Sequence, residues 1–107
     1  MRIDGKGMRA GSEARVQAIP GGVAVRIGRR FGPEQARELE RRLRLLAPIQ
    51  RLIVDFAAAA EVDDAAIGVL VQVIGRGLAG HVELRGLSLH QRRMLRYLGV
   101  SGGTATA

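Results

Sequence analysis

Four carboxylates fall within ten residues near the middle of this chain: Asp55, Glu61, Asp63 and Asp64. Oxygen ligands grouped in this way suit a hard cation. Adjacent acids just ahead of an apolar run also suit a second task, capping a helix start and opposing the positive end of its dipole. The spacing favours the second, and no metal site is expected. Nucleophilic catalysis would need a hydroxyl or thiol beside a histidine. There is no cysteine, and His90 has no carboxylate near it in sequence, while Glu83, two residues after His81, belongs to the same strand pattern. Gly75 and Gly77 fall inside a helical pattern rather than ahead of one, so no phosphate-cradling loop is evident. The chain is expected to be non-enzymatic and to hold no cofactor.

Charge offers a different chemistry. Against 10 acidic residues stand 17 basic ones, a net of +7, and 16 of the 17 are arginine. Nothing after Glu83 is acidic, so an acidic spot and a basic C-terminal region are expected. Arg41, Arg42, Arg44, Arg92, Arg93 and Arg96 are the candidate basic surface, and a nucleic-acid-binding domain is the competing reading. Against it stand an aromatic content of 3%, which leaves few stacking platforms, and the lack of a reading motif.

These groups must be positioned by elements that the pattern delimits. At 107 residues and 47% hydrophobic content the chain suits one core. Residues 1–13 and 101–107 read as flexible tails around a domain spanning 14–100. A hairpin is expected from Ala14–Ile19 and Val23–Ile27 around Pro20-Gly21-Gly22. Gly32-Pro33 opens a helix with Ala36, Leu39, Leu43 and Leu46 on one stripe, paired Glu38 to Arg42 and Glu40 to Arg44, and ended by Pro48. Leu52-Ile53-Val54 reads as a central parallel strand buried on both faces.

A second helix, capped by Asp63 or Asp64, places Ile67, Leu70, Val71, Ile74 and Leu78 inward and closes at Ala79-Gly80. Its Gly68, Gly75 and Gly77 imply close approach to the sheet or to a partner. Val82–Arg85 alternates as a strand. Ser88 and Gln91 form a capping box for a third helix, with Met94, Leu95 and Leu98 inward, Arg92, Arg93 and Arg96 outward, and a Schellman ending at Gly99-Val100. The order β-β-α-β-α-β-α predicts an α/β domain with a mostly parallel four-stranded sheet and one antiparallel edge strand.

The run Leu52-Ile53-Val54-Asp55-Phe56, four alanines, then Glu61-Val62-Asp63-Asp64-Ala65-Ala66-Ile67-Gly68 resembles the motif region of STAS domains, the anti-sigma factor antagonist family. The resemblance extends from about Ala14 to Val100. It implies a bacterial, cytoplasmic module that docks through this loop and helix onto a regulatory partner. Such a partner is a kinase-type anti-sigma factor, a transporter ATPase, as in lipid-transport ABC systems, or a sensory scaffold. By position, Asp63 matches the family aspartate and Asp64 the serine that such a kinase phosphorylates.

No serine or threonine lies between Glu13 and Leu87, so that switch is lost. Asp64 either imitates the charged form weakly or only caps the helix. The implied contact set is Asp63, Asp64, Ala65, Ala66, Ile67, Gly68, Val69, Gln72, Val73 and Arg76. The family usually carries one more segment at an end. Without it, the edge strand Val82–Arg85 is available for pairing with another chain, a homodimer included. No run is long enough to span a membrane, and no secretory signal opens the chain.

Overall fold

In the computed structural model, which describes residues 14–97, the chain opens on a hairpin that its turn residues dictate. β1 (Arg15–Ile19) and β2 (Gly22–Arg26) pair antiparallel with only Pro20 and Gly21 between them. Gly21 takes φ +81°, a left-handed value that glycine reaches without strain. Gly22 is required for another reason, since a Cβ there would collide with the backbone carbonyl of Arg51.

After β3 (Arg30–Phe31), α1 (Pro33–Leu46) starts with proline in its first turn. The Gly32 N–H donates to Gln35 Oε1 at 2.8 Å, the half of a capping box that a glycine can still make. Ala36, Leu39 and Leu43 are buried as the stripe predicts, each leucine stabilising by about 1.5–3 kcal/mol. Leu46 is exposed instead, because the helix ends there and the chain turns extended ahead of Pro48. The Glu40–Arg44 pair forms. Glu38 pairs with Arg41 rather than Arg42, whose Nη1 reaches back to the Ala14 carbonyl at 2.9 Å.

The remaining elements are β4 (Ile49–Asp55), β5 (Glu61–Val62), α2 (Asp64–Gly75), β6 (Ala79–Arg85) and α3 (Leu89–Tyr97). The main sheet has the order β1-β2-β4-β6, antiparallel at β1 and parallel elsewhere, with β6 at the free edge. With three helices it forms one compact α/β domain, as the alternation of elements predicts. Two further strands, β3 and β5, make a short parallel pair, Arg30 opposite Glu61 and Phe31 opposite Val62. Two residues are too few for alternation to announce a strand.

α2 departs from expectation in length and in phase. The amides of Arg76 and Gly77 donate to the carbonyls of Val73 and Ile74, both at 3.2 Å, and Gly77 takes φ +75°. The helix therefore stops before Leu78, and Ala79 and Gly80 begin β6 instead of closing the helix. Its pairing of Ala79 with Ile49 also starts β4 three residues ahead of Leu52. The buried stripe is Ala66, Ile67, Leu70 and Val73, while Val71 and Ile74 are half-buried. Valines and isoleucines spread around most of the helix and small residues interrupt its polar side, so periodicity had too little contrast to set its phase.

Val25, Val54 and Leu84 lie side by side on the core face of the sheet, under the helices. Ile53 is buried as well, but alternation aims it the other way and it stands apart from the main core. Among the described residues no helix covers that outer face, whose Gln17, Arg26, Arg51, His81 and Arg85 are exposed. Leu52, Ile53 and Val54 are thus buried on both faces of β4, as expected, although no described helix lies over the outer one. No helix among the described residues is long and apolar enough to cross a membrane. The expected tails, and Leu98, Gly99 and Val100, lie outside the described residues.

Candidate functional site

The helices that follow β2, β4 and β6 all begin beyond the C-terminal ends of these strands, the end at which open α/β sheets commonly bind. The segment leading into α2 is fixed there by backbone hydrogen bonds. The amides of Ala60 and Glu61 donate to the Arg29 carbonyl at 2.7 and 3.0 Å, and the Asp63 amide donates to the Phe31 carbonyl at 2.9 Å. Phe31 and Phe56 meet edge to face beneath it, with ring centroids 5.4 Å apart. An open cleft of about 770 Å³ separates this segment from the first turn of α1.

Asp63 is the N-cap residue of α2, yet its carboxylate makes no capping hydrogen bond. Its carbonyl does the local work, accepting from the Ala66 and Ile67 amides at 2.9 and 3.2 Å. Asp64 points elsewhere: its two oxygens lie 3.3 and 3.2 Å from Nε2 of His90, at the start of α3. Neither carboxylate caps the helix as expected. Asp64 ties α2 to α3, and the pair is exposed on both sides. Sequence separation hid it, since the partners are 26 positions apart. Among the described residues no three carboxylates or histidines come together as a metal site.

Of the expected contact residues, Asp63, Asp64, Ala65, Gln72 and Arg76 are exposed, and Gly68 and Val69 half-buried. Ala66, Ile67 and Val73 are buried and cannot meet a partner. They fall on the stripe with Leu70, which turns them into the core. Helical geometry instead gathers Asp64, Ala65, Gly68, Gln72, Gly75 and Arg76 on the opposite side. A Cβ added at Gly68 or Gly75 would meet no atom within 4 Å, and the same holds at Gly77, so none of these glycines serves close approach to the sheet.

The candidate basic surface divides. Arg41, Arg42 and Arg44 are engaged by Glu38, the Ala14 carbonyl and Glu40. Glu40 also takes Arg76 at 3.1 Å, bracing α1 against the end of α2. On α3, Arg93 and Arg96 are exposed and Arg92 is half-buried. No protein-family model matches the chain, and no curated protein matches it at a significant level.

Proposed function

We propose that this chain is a non-enzymatic protein-docking module that binds a regulatory or scaffold partner through the outer side of α2 and the residues that open it. The observation that carries the reading is the pair Gly68 and Gly75, seven residues and about two turns apart on one exposed side. Gly68, inside the helix, costs it about 1 kcal/mol relative to alanine, and Gly75, the last helical residue, costs less. Among the described residues, apart from the helix's own backbone, nothing approaches the space their side chains would fill, whereas a partner surface can come close to backbone there. The rigid entry segment and the exposed Asp63 and Asp64 add a fixed acidic edge to this flat strip.

The reading agrees with the resemblance to anti-sigma factor antagonists, whose partners include kinase-type anti-sigma factors, transporter ATPases and sensory scaffolds. At the position of the family's phosphorylated serine, Asp64 offers a carboxylate next to His90. Docking is therefore constitutive, with no hydroxyl there to modify, and it takes place in the cytoplasm. Nucleic acid is the weaker candidate, because Arg41, Arg42 and Arg44 of α1 are already engaged within the chain.

Affinity capture from the source cell with wild type, Gly68→Arg, Asp64→Arg and Asp64→Ser tests the proposal. A protein partner retained by wild type and lost with Gly68→Arg, while circular dichroism stays unchanged, is the expected result. An effect of Asp64→Ser on that partner assigns weight to the fixed charge. Capture of the same protein by Gly68→Arg, or of nucleic acid alone by all four proteins, overturns it.

A further inference from the structure

An all-parallel sheet is nearly always covered on both faces, yet this mixed sheet, with three parallel strands, has helices on one face only among the described residues. On its outer face a single cross-strand row runs Arg15, Arg26, Asp55, Arg85, one residue from each strand. Arg15 and Arg26 are directly opposite across the antiparallel pair, an arrangement that like charges destabilise. Neither has an ion-pair partner among the described residues. Asp55, the one carboxylate in the row, accepts a hydrogen bond at Oδ1 from the Ala57 amide at 2.9 Å. Arg85 is held by Glu83. Beside the row lies a hollow of about 360 Å³ whose floor includes Ile53 and Ala24.

We infer that this face is a second binding surface, and that its occupant is an acidic polypeptide segment carrying apolar side chains. Carboxylates would bridge the two opposed guanidinium groups in the paired geometry that arginine favours. Apolar side chains would cover the Ile53 floor. The chain's own ends are poor occupants: residues 1–13 hold Arg2, Lys6 and Arg9 against Asp4 and Glu13, and residues 98–107 hold no acid. Single-stranded nucleic acid would meet the charge but, among the described residues of this face, find only the imidazole of His81 to stack on, because Phe31 and Phe56 are in the core and Tyr97 is on α3. The surface is separate from the α2 side, so the domain would hold two partners, or two parts of one, at once.

The test uses the full chain and three labelled probes: a peptide of repeated Glu-Glu-Leu units, one of repeated Lys-Lys-Leu units, and an oligothymidylate. Binding is read by fluorescence anisotropy, and the site by amide shifts in nuclear magnetic resonance spectra. The acidic peptide is expected to bind saturably and to shift amides of β1, β2 and β4. Arg15→Gln with Arg26→Gln should weaken it by about tenfold or more. Arg92→Gln with Arg93→Gln should change it by less than about twofold.

Several outcomes overturn the inference. They are shifts confined to α3, equal loss in both double variants, and tighter binding of the oligothymidylate to the same row. Contacts between residues 1–13 and this face in the free protein would also overturn it. Because the mapping is done on wild type, it stands even if a variant folds poorly.

Discussion

Gly68 separates the needs of folding from those of docking at one position. Its site is open, so Gly68→Ala should raise stability by about 0.5–1 kcal/mol in urea unfolding through helix propensity alone. A loss of stability would mean that the glycine serves the fold. Glu83 makes a different prediction. The Arg85 side chain hydrogen-bonded to it, helped by Arg51, holds its carboxyl below the ordinary glutamate range in spite of partial burial. A carboxyl with a lowered pKa in the folded state contributes stability above its unfolded value and loses it as pH falls through the folded one. Unfolding midpoints should therefore decline on acidification more steeply for wild type than for Glu83→Gln.

At the scale of elements, α3 depends most on its own start. Ser88 and Gln91 form the reciprocal box read from sequence: Gln91 N–H donates to Ser88 Oγ at 3.1 Å, and Ser88 N–H donates to Gln91 Oε1 at 2.9 Å. Ser88→Ala should cost about 0.5–2 kcal/mol. Hydrogen exchange should show the loss in α3 amides while those of β4 keep their protection. Such a box was legible because its partners are three residues apart. So was the order of strands and helices, because turn residues such as Pro20-Gly21 and Gly32-Pro33 act locally. The phase of α2 was not legible, since Val69, Val71, Val73 and Ile74 spread around most of the helix and the alanine and glycines among Asp64, Gln72 and Arg76 mark its polar side only weakly. The Asp64–His90 tie and the β3–β5 pair escaped for another reason: they join segments about thirty residues apart. Accordingly the candidate contact set was half legible, with Asp63, Asp64, Ala65, Gln72 and Arg76 exposed, Gly68 and Val69 half-buried, and Ala66, Ile67 and Val73 buried.

For the whole molecule, the sheet divides the surface into a helical side and a bare, basic side. Arg15→Glu should set an acid opposite Arg26 and raise stability by about 0.2–1 kcal/mol in thermal unfolding. The same change should abolish capture of the acidic peptide. Stability gained together with binding lost would mark the opposed arginines as a feature kept for a ligand rather than for the fold.

The aromatic side chains of this chain are few and unevenly placed. Two phenylalanines are sealed in the core, there is no tryptophan, and the one tyrosine, Tyr97, is 92% exposed at the last turn of α3. Intrinsic emission excited in the near ultraviolet therefore comes from a fluorophore already in water, and should change little when the core melts. The native protein carries, in effect, an optical probe of α3 alone. A partner that covers the end of that helix would shield Tyr97 from acrylamide quenching, whereas one bound to the bare face of the sheet would leave it quenched as before.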